Sequence, residues 1–196
     1  VSALKTGMLS SPEVIEAVAD RLTCQGRILK VFDPVMVATS GARLLQDDAV
    51  GLLKSRLLPL GTLVTPNLAE AGVLTGRTVE TREEMSDAAR ALADAFGCAV
   101  LVKGGHAEGT CAEDILFDGE RVYRLTSPRV TGPLSTHGTG CSLSAAIAAS
   151  LACGKALLDA VAEGKAYVYE ALRTGAYVGE QAAVLGTPTR LPLERV

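Results

Sequence analysis

Between Ser135 and Ala146 the chain reads STHGTGCSLSAA, two glycines among hydroxyl and thiol side chains ahead of an alanine-rich run. Gly138 and Gly140 carry no Cβ, so consecutive backbone N–H groups can close around an anion, and the dipole of a helix starting there adds attraction. Such a cradle of Gly138, Thr139 and Gly140 suits a phosphoryl group in transfer. The same residues also suffice for a sharp turn with Ser142 capping the helix. Complete nucleotide fingerprints are absent: there is no G-x-x-x-x-G-K-[ST], and Gly138-x-Gly140 lacks a third glycine. Cys141 falls in the first helical turn, where dipole and unpaired amides favour a thiolate that can serve as base or nucleophile. Cys24, Cys98, Cys111 and Cys153 have no such surroundings and read as structural.

A second stretch with chemical potential is PNLAE, residues 66 to 70. Asn67 and Glu70 have the spacing of a capping box. A Glu in the first turn after a strand can equally hold a hydrated Mg²⁺ through water. Asp33, at the end of its own strand, offers a second carboxylate, or else an ordinary turn residue. Lys103 closes the most apolar strand just before Gly104 and Gly105, so its ammonium emerges at the sheet edge, as a phosphate contact or simply solvated. His106 and His137 read as loop donors, because two histidines without a third ligand make a poor metal site.

To position these residues the chain needs strands that end where helices begin. Short apolar runs, Ile28–Phe32, Thr62–Thr65 and Ala99–Lys103, alternate with helical spacing, the pattern of a mostly parallel α/β sheet covered on both faces. Ile115–Phe117 and Arg121–Leu125 flank Asp118-Gly119 and predict a hairpin with a tight primed turn. Helix starts are marked by Ser11 before Pro12, by Asn67 with Glu70, by Thr81 with Glu84, and by a hydroxyl near Ser142. Val14, Val18 and Leu22 mark one apolar face, and Met85, Leu92 and Phe96 another. Two further helices are predicted over 142–152 and 157–172, with Gly154 as the stop between them. Ligands collect at such strand-to-helix junctions.

The 196 residues, 48% hydrophobic and 21% charged, describe one globular domain over 1–196. A net charge of −3, with four Tyr, three Phe and no Trp, argues against nucleic acid as a partner. Five cysteines without a C-x-x-C pair fit a reducing, cytoplasmic setting. No apolar run is long enough for a membrane span.

Taken together, KTGML (5–9), DPVMVATSG (33–41), TPNLAEAGVLTG (65–76), VKGGH (102–106) and THGTGCSLSAAIAA (136–149) resemble the bifunctional hydroxymethylpyrimidine and hydroxymethylpyrimidine-phosphate kinases of thiamine biosynthesis, in order and in spacing. These are ribokinase-like enzymes, so the resemblance implies a three-layer α/β/α fold and successive ATP- and Mg²⁺-dependent phosphorylation of the pyrimidine alcohol and its monophosphate. It implies an anion hole at Gly138, Thr139 and Gly140, with Cys141 where most of the superfamily carries an Asp base. Lys103, Asn67 and Thr136 would contact the nucleotide phosphates, Asp33 and Glu70 the metal region, and Met8, Val35 and Cys141 the pyrimidine. The partners implied are small molecules, and the resemblance admits a homodimer. The family carries at least one more βαβ-sized block before KTGML, with much of the pyrimidine pocket, so the chain is expected to be shortened at its amino end. The tail VGEQAAVLGTPTRLPLERV also departs from the family's His- and Gly-rich ending. Two alternatives stand beside this reading: a pyridoxal kinase of the same superfamily, and a nucleotide-binding domain without turnover.

Overall fold

The computed structural model describes residues 1–36, 44–105, 109–132, 135–179, 182–191 and 193. Its six-stranded sheet runs β1 (Ala3–Thr6), β2 (Leu29–Phe32), β3 (Leu63–Val64), β4 (Ala99–Lys103), β5 (Cys111–Phe117) and β6 (Val122–Pro128) in that spatial order. The first four strands are parallel neighbours, and β5 and β6 join antiparallel. Alternation along the strands splits the core in two. Phe32, Val64, Val100 and Val102 face one way, onto α1 (Pro12–Thr23), α2 (Asp47–Leu52), α3 (Leu68–Thr75) and α4 (Arg82–Phe96). Val31, Leu63 and Leu101 face the other way, onto α5 (Thr139–Ala152) and α6 (Leu157–Arg173). Period-2 side-chain geometry thus turns short apolar strands into the middle layer of an α/β/α sandwich.

Local chemistry sets most helix starts. Ser11 accepts the Val14 amide with Pro12 in the first turn. Asn67 and Glu70 complete a reciprocal capping box, both bonds 2.8 Å long, and Thr81 and Glu84 complete another. Such caps satisfy amides that have no partner within the helix.

Several expectations are corrected. α5 starts at Thr139 rather than Ser142, and its N-cap is Gly138, with no side-chain cap. The hairpin strands extend to Cys111 and Pro128, and the turn spans 118–121. There the Asp118 carboxylate accepts the amides of Glu120 and Arg121 at 2.8 Å, and Gly119 takes a φ of 104°, whereas Asp118 stays at negative φ. On α1 the buried face is Ile15, Ala19 and Leu22, while Val14 is exposed. Strand β1 was not anticipated, nor was α2 with its continuation through a π-helical turn (Leu53–Leu57) and a 3-10 turn (Leu58–Leu60), nor the small antiparallel pair β7 (Ala176–Val178) and β8 (Ala182–Val184). The reason is shared: these segments are short and their apolar spacing is irregular, so only packing assigns them.

Candidate active site

Because β1 to β4 run parallel, their carboxyl ends lie along one sheet edge, and the polar residues of four separate segments converge there. Asp33 follows β2, with its amide bonded to Thr6 O at 3.1 Å. Thr65 follows β3, with its amide on Phe32 O at 2.9 Å. Lys103 ends β4, and its amide donates to Pro66 O at 2.8 Å, which places it beside Asn67.

Asp33 is the centre of this edge and is only 2% exposed. Lys103 Nζ donates to its Oδ1 at 2.7 Å, and Thr65 Oγ1 stands 3.4 Å from the same oxygen. The Ser144 hydroxyl, from α5, lies 3.3 Å from Oδ2, with Lys5 Nζ at 3.9 Å. Ser144 also has Gly140 O and Cys141 O at 3.1 Å, and one hydroxyl proton serves one acceptor at a time. A buried carboxylate needs such compensation, because desolvation otherwise penalises its charge.

Glu70 sits next to this cluster, also 2% exposed. Burial pushes its carboxyl above the usual 4.5, while the Lys103 ammonium and the Asn67 amide pull it down and Asp33 adds a further upward push. It therefore does two things at once: it caps α3 and adds negative charge beside Lys103.

The loop ahead of α5 faces the same edge. Gly138 has a φ of 85°, a left-handed conformation that a Cβ would strain. The turn is held from inside by Thr139 Oγ1 donating to Thr136 O at 3.0 Å, and by the His137 amide donating to Ser135 Oγ at 3.1 Å. Thr139, Gly140 and Cys141 are the first three residues of α5, where amides lack intrahelical acceptors and the dipole is positive. A Cβ built on Gly140 would stand 3.2 Å from Lys103 Nζ, so the lysine ammonium and these amides form one positive mouth. Cys141 is exposed at it.

Of the residues singled out in the sequence, Asp33, Asn67, Glu70, Lys103 and Gly140 are thus brought together, with Gly138, Thr139 and Cys141 beside them. Thr136 supplies a backbone carbonyl to the turn and its side chain is exposed. Met8 follows β1 and is 57% exposed, and Val35 is half-buried after β2. His137 is exposed in the loop, and His106 lies outside the described residues, as does 37–41 of the DPVMVATSG stretch. The other cysteines divide: Cys98 is half-buried, whereas Cys24, Cys111 and Cys153 are exposed rather than packed. Lys5, Thr65 and Ser144 were missed. Lys5 lies within the quoted KTGML, but nothing in a single lysine or hydroxyl signals that it will meet Asp33.

Against known proteins, residues 1–185 match the phosphomethylpyrimidine kinase family. The chain belongs to this family. It is 51% identical over 173 residues to the hydroxymethylpyrimidine/phosphomethylpyrimidine kinase of Rhizobium meliloti (strain 1021), which covers 88% of this chain and 64% of that protein. It is 44% identical to the Escherichia coli (strain K12) protein described in the same words, over 88% of this chain and 65% of the relative. The chain thus spans just under two thirds of these two relatives' length. Among solved structures, the ADP complex of Bacillus subtilis pyridoxal kinase superposes with a TM-score of 0.87 at 32% identity, over 95% of this chain and 70% of that one. The phosphomethylpyrimidine kinase of Clostridium difficile 630 gives 0.75 at 34% identity, over 87% and 69%. The phosphomethylpyrimidine kinase architecture of this chain is therefore the ribokinase-like α/β/α sandwich. Among the described residues no helix is long and apolar enough to cross a membrane.

Proposed function

We propose that residues 1–196 form one kinase unit that transfers the γ-phosphoryl group of ATP to hydroxymethylpyrimidine and then to its monophosphate, in the reducing cytoplasm. The observation that carries this reading is the adjacency of Lys103 Nζ and Gly140, 3.2 Å from a Cβ placed there, which joins a strand-end ammonium to the amino end of α5. Phosphoryl transfer asks mainly for positioning and charge stabilisation, and that mouth supplies both.

In this reading the amides of Thr139, Gly140 and Cys141 hold the equatorial oxygens of the transferred group, and Lys103 neutralises charge as the bond to the nucleotide's leaving oxygen breaks. Asp33 keeps Lys103 pointed at the edge. Cys141 Sγ takes the hydroxyl proton of the pyrimidine alcohol while the new P–O bond forms. Thr136 lies on the nucleotide side, and Met8 and Val35 offer apolar cover for a flat ring.

Mg²⁺ would neutralise phosphate charge when bound. The residues fit it through water and not by direct contact at Asp33, whose two oxygens already take Lys103, Thr65 and Ser144. Glu70 fits better: burial leaves its charge under-compensated, although its carboxylate also serves Asn67 and the Met36 backbone. Among the described residues no group of three or more His, Cys, Asp or Glu gathers around a cation site.

The second reading, pyridoxal phosphorylation, is favoured by the close superposition on the B. subtilis pyridoxal kinase. Turnover of hydroxymethylpyrimidine, its phosphate and pyridoxal with ATP and Mg²⁺ separates the two. Preference for both pyrimidines supports the proposal, preference for pyridoxal replaces it with the second reading, and nucleotide binding without turnover of any of the three overturns both.

A further inference from the structure

We infer that Lys165 and Asp114 are positioning residues for phosphoryl transfer, which together fix the strand end carrying Lys103 relative to the amides that open α5. The inference rests on the phosphotransferase reading and deepens it. Lys165, on α6, is 5% exposed, and its Nζ stands 2.6 Å from Oδ2 of Asp114, which is 6% exposed on β5. The other oxygen, Oδ1, accepts the backbone N–H of Gly104 at 3.0 Å, an amide that also reaches Glu113 O at 2.9 Å. Gly104 directly follows Lys103, whose ammonium is bound to Asp33. One buried carboxylate therefore links α6 to the peptide unit beside the phosphate-facing lysine.

The neighbouring residue of α6 sets the other half of the geometry. A Cβ on Gly164 would stand 2.7 Å from Ile147 Cγ1 and 3.3 Å from Leu143 O, so α6 comes close to the backbone of α5 at this point. Two consecutive residues of one helix thus touch the helix that opens at the positive mouth and, through Asp114, the strand end beside it. Gly164 sets the distance to the helix that presents the amides, and Lys165, through Asp114, sets the distance to the strand that presents Lys103.

Stability alone does not call for this pair. Desolvation takes back much of the attraction in a buried ion pair, and an apolar pair of similar volume is often as stable or more so. What an apolar pair cannot supply is the side-chain acceptor that shares the Gly104 amide with Glu113 O. A shift of about 1 Å in a positioning group can cost up to about 100-fold in rate, so that acceptor bears on catalysis.

The test compares the unmodified chain with Lys165→Met, Lys165→Met/Asp114→Asn and Lys165→Met/Asp114→Leu, by thermal melting, by affinity for the non-hydrolysable ATP analogue AMP-PCP, and by kcat and KM for ATP. Lys165→Met leaves a buried carboxylate without its cation and melts earlier. Asn at 114 restores a neutral acceptor for Gly104 and recovers both affinity and rate. Leu at 114 recovers the melt but not the geometry, with kcat/KM for ATP down by as much as about 100-fold. Lys165→Met/Asp114→Ala serves in its place if leucine does not pack. A folded variant that lacks the side-chain acceptor at 114 and keeps the affinity and kcat/KM of the unmodified chain overturns the inference. An unmodified chain that binds AMP-PCP but phosphorylates nothing counts against the phosphotransferase reading alone, and affinity across the variants then still decides the positioning. An unmodified chain that binds no nucleotide overturns both.

Discussion

Lys103 Nζ stands 2.7 Å from Asp33 Oδ1, so a single ion pair ties the end of β4 to the end of β2 across the intervening strand β3. Its loss would leave the Asp33 carboxylate buried with Lys5, 3.9 Å away, as its remaining cation among the described residues. Lys103→Met is expected to lower unfolding stability by about 3–5 kcal/mol, the usual cost of removing one partner of a buried pair, with Lys5 bringing the loss toward the lower figure. Urea unfolding measures this, and Lys103→Met/Asp33→Asn should recover most of it. A single variant as stable as the unmodified chain would show that Asp33 does not depend on Lys103.

Glu70 yields a prediction about pH. Burial raises its carboxyl above 4.5, so between that value and its folded pKa the folded chain holds a proton that the unfolded chain has released. Stability therefore falls as pH rises through this window. Gln keeps the oxygen that accepts the Asn67 amide and removes the titration. Glu70→Gln should melt no earlier than the unmodified chain at neutral pH and show a flatter stability profile from about pH 4 upward. Its turnover should require more Mg²⁺. An unchanged Mg²⁺ dependence would leave Glu70 with its capping role only.

The thiols should sort by burial. Burial pushes Cys98 up to about 11, whereas Cys24, Cys111, Cys141 and Cys153 are exposed. Iodoacetamide at pH 8, followed by mass spectrometry of peptides, is expected to label those four and spare Cys98. Added ATP should protect Cys141 alone. Protection at every exposed site, or at none, would argue that nucleotide does not occupy the mouth of α5.

Gly138 tests the loop. At a φ of 85° a side chain costs about 1–2 kcal/mol, so Gly138→Ala should lower stability by that amount, and Gly138→Asn by less. Both should weaken AMP-PCP binding, since this turn sets the direction of the Gly140 and Cys141 amides that follow it. Binding at full strength in Gly138→Ala, measured calorimetrically, would place the nucleotide phosphates elsewhere.

What the sequence by itself determined rests on short-range chemistry. The capping boxes at Asn67 and Thr81 are recognisable because three-residue spacing is all they need, and the parallel sheet because short apolar runs alternate with helical periods. The glycines around Thr139 announced a helix mouth, although the helix starts three residues before Ser142 because Gly138, and not a hydroxyl, makes the turn. Tertiary structure alone decided the rest. Ser144 meets Asp33 across 111 positions, Lys103 meets it across 70, and Lys165 meets Asp114 across 51. No spacing rule reaches that far. Such contacts depend on which strands become neighbours and which helix face turns inward, and the stretch around Glu113 and Asp114 hid its strand because a buried charge stands where an apolar alternation would continue. Its partner lies on a helix that only the packed sheet brings near.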